Sequence, residues 1–174
     1  DFKNPFKILV FFGYRNTAHF LDRELTLMSE EISAENLGFF GKCLLIISDS
    51  GGYWLWDDDN SELVKLNSGF EIEYKKSFQF EESVVQIENS ISQILFRTES
   101  GDLYFCNTDN FELYEIERSS ENPVFLNKNR FCFFEYESQS FYVLDEKTFV
   151  PVVVDIKIPS EIKVRNAVFT DGSV

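Results

Sequence analysis

Acids are the residues of this chain with the most obvious chemistry. The run Asp57-Asp58-Asp59-Asn60 offers the ligand types of a calcium loop, but such a loop needs Gly at its sixth position and Glu at its twelfth, where Glu62 and Ser68 stand. It reads as a solvated turn between strands. Gly41-Lys42 lacks both the upstream Gly and the following Ser or Thr of a phosphate-binding loop, so Lys42 reads as a surface residue. His19 is the one histidine and no Gly-x-Ser-x-Gly elbow exists to supply a nucleophile for it. Cys43, Cys106 and Cys132 form no Cys-x-x-Cys pair and lie in apolar runs, where inert buried thiols are the default. No catalytic, cofactor-binding or metal-ligating residue is therefore expected.

What remains is an aromatic ring beside a carboxylate. Aromatic residues make up 17% of the chain, including 20 Phe, and most of the hairpin aromatics (Tyr53, Trp54, Trp56, Tyr104, Phe105, Phe141, Tyr142) are expected in the core. Rings left at a rim next to acidic turns suit a cationic segment, through cation-π contact and Coulomb attraction. Asp57, Asp58, Asp59, Asp109, Glu112, Trp54, Trp56 and Tyr104 are the expected partner-binding residues. The charge balance points the same way. Thirty Asp and Glu against 16 Lys and Arg give a net charge of -14, which argues against nucleic acid and against an anionic membrane surface, and favours a basic partner. No apolar run approaches the roughly 18 to 20 residues of a membrane span, Asn4, Pro5 and Lys7 break up any leader-like N-terminus, and no Asn-x-Ser/Thr sequon occurs. An intracellular location, nucleus or cytoplasm, is expected.

The elements that must position these residues are strands. Apolar residues fall in short runs rich in Ile, Val, Phe and Tyr, with 8 Gly and 4 Pro in the whole chain. Cys43-Leu44-Leu45-Ile46-Ile47-Ser48 runs through Asp49-Ser50-Gly51-Gly52 into Tyr53-Trp54-Leu55-Trp56, the pattern of a tight hairpin. Fifty positions later Ile94-Leu95-Phe96-Arg97-Thr98 runs through Glu99-Ser100-Gly101-Asp102 into Leu103-Tyr104-Phe105-Cys106. Asp59-Asn60-Ser61-Glu62-Leu63 aligns with Asp109-Asn110-Phe111-Glu112-Leu113 in the same register, and each leads to a third strand. A third copy pairs the strand 131–136 with Phe141-Tyr142-Val143-Leu144 and continues to 149–154; residues 166–174 open a fourth. The segment 29–37 could hold one or two helical turns capped at Ser29, Ala18 to Leu21 could pair with Glu24 to Leu27, and 67–84 reads as one or two exposed outer strands.

Repetition at this spacing, with several strands per unit, is the signature of a propeller or solenoid, and runs that are apolar without alternation favour the propeller. The expected fold is all-β, a partial or degenerate β-propeller of three to four blades in a single domain over 1–174. A two-layer β-sandwich is the rival architecture. Four partial units fall short of a closed ring of about seven blades, so the expectation is part of a larger propeller, or one completed by a partner.

Ile94-Leu95-Phe96-Arg97-Thr98-Glu99-Ser100-Gly101-Asp102-Leu103-Tyr104 resembles the repeat of the regulator of chromosome condensation family, as do residues 45–54 and 167–174. Trp54-Leu55-Trp56-Asp57 is similar to the end of a WD-repeat unit. Departures are plain: Asp57-Asp58-Asp59-Asn60 and Asn107-Thr108-Asp109-Asn110 replace the family's Gly-rich segment, and its His is missing from every copy. The chain reads as a non-catalytic protein-protein interaction module whose acidity suits a basic partner and whose open propeller edge suits a partner that completes it; the resemblance implies a chromatin- or nucleus-linked role. The alternative it implies is a regulatory factor acting on an enzyme, such as a small-GTPase exchange factor, for which 67–84 would have to form the protruding loop. A hydrolytic propeller would need more than one histidine or a metal.

Overall fold

Among the described residues the apolar runs of the repeated hairpins become strands. A computed structural model of the chain describes residues 7–48, 51–116, 120, 122–127, 130–135, 138–145, 148 and 150–154. They divide into two units, residues 1–80 and 81–174.

Unit 1 contains two sheets. Strands β1 (Ile8–Phe12), β2 (Thr17–Leu21) and the short β3 (Ile32–Ser33) make a three-stranded antiparallel sheet. Strands β4 (Cys43–Ile47), β5 (Tyr53–Asp57), β6 (Glu62–Leu66) and β7 (Ile72–Ser77) make a four-stranded meander. All five residues of β5 are buried. Tyr53 and Leu55 join Phe20, Phe39, Val64, Leu66 and Phe70 in one core, while Trp56, on the opposite face, meets the edge of the Phe80 ring at 5.4 Å. The absence of alternation in this strand thus reflects cover on both faces. Each large apolar side chain so buried is worth about 1.5–3 kcal/mol relative to exposure.

Unit 2 contains two further meanders. One is β8 (Val84–Ser90), β9 (Gln93–Thr98), β10 (Leu103–Asn107) and β11 (Leu113–Ile116); the other is β12 (Phe125–Asn127), β13 (Arg130–Glu135), β14 (Ser140–Leu144) and β15 (Pro151–Val154). Leu95, Leu103, Phe105, Val124, Phe131, Phe133, Tyr142 and Leu144 share their core. The Gln86 carboxamide links the two sheets like an extra strand: it donates to the Val124 carbonyl at 2.6 Å and accepts from the Val124 N–H at 2.9 Å.

The 50-residue offset is real at the level of backbone geometry. Gly51 N–H bonds the Ser48 carbonyl and Gly101 N–H the Thr98 carbonyl, both at 3.1 Å. The two glycines have φ of 91° and 94°, and at the next turn Ser61 and Phe111 have φ of 51° and 56°. Glycine suits the first site because a side chain there is strained. The two copies nevertheless take different places in their sheets: β4, β5 and β6 begin one meander, whereas β9, β10 and β11 end another. Residues 34–40, which align with β8 at this offset, do not form a strand; they make a 3₁₀ turn at Glu35–Leu37, closed by Gly38 at φ 89°. The sheet instead gains β7 at its other edge.

Several expectations near the N-terminus are corrected. The helical turn begins after Ala34, not at Ser29, whose hydroxyl donates to the Glu30 carbonyl at 3.1 Å. Strand β2 pairs along its length with β1, and the segment after it folds back at the Leu21–Leu27 bridge, with Met28 N–H donating to the Phe20 carbonyl at 2.8 Å and Asp22 N–H to the Thr26 carbonyl at 3.0 Å. Residues 67–84 yield the outer strand β7, exposed at every position, as the alternation suggested. The projected fourth hairpin at 166–174 lies outside the described residues.

Candidate functional site

In unit 1 the acidic run is built into the fold. Asp57 sits opposite Cys43 in the β4–β5 ladder and is fully buried. Its Oδ2 accepts from the Asn60 amide at 2.7 Å, while Oδ1 is buried without a partner. Asp58 Oδ1 accepts from the Trp56 indole N–H at 3.0 Å, and its other oxygen lies 3.9 Å from the Lys42 ammonium. The Asp59 carboxylate stands against the Gly41 backbone so closely that a Cβ there would be 2.1 Å from it. Asn16 completes the join: its Nδ2 donates to the Gly41 carbonyl and its Oδ1 accepts from the Cys43 N–H at 3.2 Å. Burial, followed by the charges of Asp57, Asp59 and Asp58, pushes the Cys43 thiol up to about 12. Among the described residues no three His, Cys, Asp or Glu side chains converge as a metal site would require.

The two tryptophans are placed differently from the rim positions expected of partner contacts. Trp56 is 1% exposed and Trp54 6%. The cation over the Trp54 ring is the chain's own Lys65, 4.8 Å away, which also donates to Ser48 Oγ and, at 2.8 Å, to the Gly51 carbonyl. Hairpin rings on a fully buried strand are covered whatever the acidity of the turn that follows. Trp54, Trp56 and Asp57 therefore lie inside; Asp58 is partly exposed and Asp59 exposed.

In unit 2 the corresponding end of the hairpin is open. Tyr104 on β10 is partly exposed and lies opposite Glu115 of β11. Burial raises its phenol, and so do the carboxylates of Glu115, Asp102, Glu81 and Glu82 around it. Ser100 fixes two of those acids, its N–H donating to Glu82 and its hydroxyl to Asp102, both at 2.8 Å. None of the four carboxylates forms an ion pair among the described residues. Asp109 and Glu112 flank this edge and are exposed. Glu112 accepts from Asn110 Nδ2 at 2.8 Å and from the Tyr114 hydroxyl. The arrangement is a ring with a negative surround, which suits a cation and carries no nucleophile or proton relay. Glu81 and Glu82 join the site from the start of the unit, about 20 residues before Tyr104; their one sequence signal is a pair of acids directly after Phe80.

His19 lies on β2 with Nε2 3.3 Å from a Glu31 oxygen and its ring 5.7 Å from that of Phe12, edge-on. Its Nδ1 is buried without a partner.

No protein-family model matches the chain, and no curated protein matches it. Solved structures do. A streptogramin B lyase superposes with TM-score 0.60 at 17% identity over 84% of this chain and 50% of its own. The N-terminal domain of Nup159 gives TM-score 0.55 at 11% identity, covering 90% of this chain and 46% of that one. A chain from the S. cerevisiae complex of Dbp5 with Nup159, Gle1, IP6 and ADP gives TM-score 0.54 at 10% identity, covering 93% and 46%. The chain thus spans about half the length of the structures it matches. These likenesses establish the fold: an all-β, partial β-propeller of small antiparallel sheets. They do not single out the regulator of chromosome condensation family. Among the described residues no helix is long and apolar enough to cross a membrane.

Proposed function

We propose that this chain is a non-catalytic interaction module whose unit 2 docks a basic segment of a protein partner at the Tyr104 patch. The observation that carries this is a partly exposed tyrosine with four carboxylates about it, none of which is ion-paired among the described residues. An ammonium or guanidinium entering there gains Coulomb attraction from each acid and cation-π contact from the ring. Tyr104, Asp109 and Glu112, with Glu81, Glu82, Asp102 and Glu115, form the contact set; Asp58 and Asp59 supply a second acidic surface in unit 1. A net charge of -14 steers basic partners and disfavours direct nucleic-acid or membrane contact. Histone-tail-like segments have the required chemistry, so a chromatin-linked, intracellular role is part of the proposal, as is a single propeller-like domain that a larger ring or a partner completes.

Two features support docking over the alternatives. The segment that an exchange factor would need as a protruding loop lies flat as β7, with the Asn67 side chain accepting from Gly69 N–H at 2.8 Å and Glu71 N–H at 3.0 Å to close the turn before it. A lyase of the kind matched here is an enzyme, but at 17% identity the match speaks for fold alone. Titration of the full chain with lysine-rich peptides, followed by fluorescence anisotropy at two salt concentrations, tests the reading. Binding that weakens with salt is expected; no binding at low salt overturns it.

A further inference from the structure

The free edge of β11 offers more than charge. We propose that it takes up the partner's basic segment as an added fifth strand of its sheet. The inference rests on the docking reading above and specifies its geometry.

The ladder shows which backbone groups are available. Asn107 N–H reaches the Glu112 carbonyl at 3.1 Å and Thr98 N–H the Asp102 carbonyl at 3.0 Å. With Tyr104 opposite Glu115 and Phe105 opposite Tyr114, the alternation of an antiparallel ladder turns Glu112, Tyr114 and Ile116 towards β10. The N–H and C=O of Leu113 and Glu115 therefore point away from the sheet, towards the open edge. An added strand can pair with both residues.

The other outer edges serve a basic strand less well. On β7 the Phe78 N–H bond to the Ser61 carbonyl, at 2.9 Å, puts Lys75 and Ser77 outward. Lys75 already reaches Glu62 at 3.4 Å and stands over the Phe39 ring at 4.7 Å, and Lys75 with Lys76 outnumbers the strand's one acid, Glu73. On β15 the Asp145 N–H bond to the Val150 carbonyl puts Pro151 and Val153 outward. Pro151 has no N–H to give, and the strand bears no charge. Like charge and proline resist a basic strand at those two edges, whereas β11 combines outward donors and acceptors at Leu113 and Glu115 with acidic side chains of the complementary sign.

Side-chain placement then follows from the pleat. A residue paired opposite Glu115 projects onto the face of Glu115, and the Tyr104 ring lies one strand further in, about 10 Å from the added backbone. A lysine or arginine there brings its cation among Glu115, Asp102, Glu81 and Glu82. The residues on either side of it pair opposite Tyr114 and Ile116 and project on the other face. The preferred segment is thus extended, with a basic residue at every second position.

The experiment uses the full chain and an acetylated, amidated pentapeptide of alternating valine and lysine. On saturation, amide exchange at Leu113 and Glu115 is expected to slow at least about tenfold, more than at Tyr114, which is already paired. Methylating the peptide nitrogens of one parity should weaken binding about tenfold, the loss of roughly two hydrogen bonds, while methylating the other parity should be tolerated. Equal affinity for both methylated forms refutes the added strand and leaves the electrostatic docking standing. Failure of the parent peptide to bind at low salt overturns both. Self-association of the free chain that the peptide reverses would mean that a second copy occupies the edge, and would also overturn the proposal.

Discussion

Neutralising the carboxylates around Tyr104 should remove most of the attraction for a basic peptide without unfolding the sheet. The variant is Glu81→Gln, Glu82→Gln, Asp102→Asn and Glu115→Gln together; the amide oxygens introduced at 82 and 102 can still accept from Ser100, as the carboxylates do. Exposed ion pairs contribute roughly 0.2–1 kcal/mol each, so four give about 2 kcal/mol, or roughly 30-fold in affinity. The ring adds about 0.5–1 kcal/mol by cation-π contact, so Tyr104→Leu alone should cost a few-fold, about twofold to sixfold. Anisotropy titrations at about 10 mM and 150 mM salt read both effects, since screening shortens the reach of the acids from about 30 Å to about 8 Å. The wild-type affinity should fall steeply with salt, and the quadruple variant should be weaker and less salt-dependent. A quadruple variant within about twofold of wild type at low salt would show that Coulomb attraction at this patch does not drive binding.

Three further outcomes concern the fold. Gly52 has φ 75° and an added Cβ would lie 2.1 Å from the Leu66 carbonyl oxygen, whereas Gly51, at φ 91°, has open space around it. Gly52→Ala should cost about 2–4 kcal/mol, against about 1 kcal/mol for Gly51→Ala, so equal melting temperatures for the two would contradict the turn geometry. Cys43, with its thiol raised to about 12 by burial and the neighbouring aspartates, should resist thiol reagents at pH 8 until the chain unfolds; rapid native-state labelling would contradict that environment. Glu88 is held above the ordinary carboxyl range mainly by burial, opposed by a hydrogen bond from Gln86. Its native state binds the proton more tightly than the unfolded state, so its favourable contribution is full below the unfolded carboxyl value and is lost as pH rises through the folded one. Glu88→Gln should therefore flatten the decline in stability above that range, measured by urea melts from pH 4 to 7, and an unchanged slope would refute the assignment.

How much of this was legible in the sequence depended on how well each element is punctuated. The hairpins at Gly51-Gly52 and Gly101 were readable because a left-handed turn there calls for glycine, and the 50-residue echo survives in the φ angles at Ser61 and Phe111. Strand β8 was missed because the turn into β9, around Ile91 and Ser92, contains neither Gly nor Pro. The place of each copy within its sheet was also hidden, since it depends on whether residues 34–40 extend or coil, and Glu35–Leu37 coil for want of an apolar alternation. For the site, the acidity of the hairpin ends was visible but their exposure was not. Trp54 and Trp56 have the same neighbours in sequence as Tyr104 has, an apolar strand and an acidic turn, yet only Tyr104 stays partly open. Burial is decided by what packs on each face of the strand, and for the tryptophan face that information lies in distant residues such as Lys65 and Phe80.

Photo-cross-linking of a bound lysine-rich peptide to the full chain, with the adducts located by mass spectrometry, tests the docking claim most directly. Adducts at residues 81–82, 102–104 and 112–115 are expected, and should disappear in the quadruple variant. Adducts confined to the surface around Asp58 and Asp59, or spread evenly over the acidic chain, would contradict it.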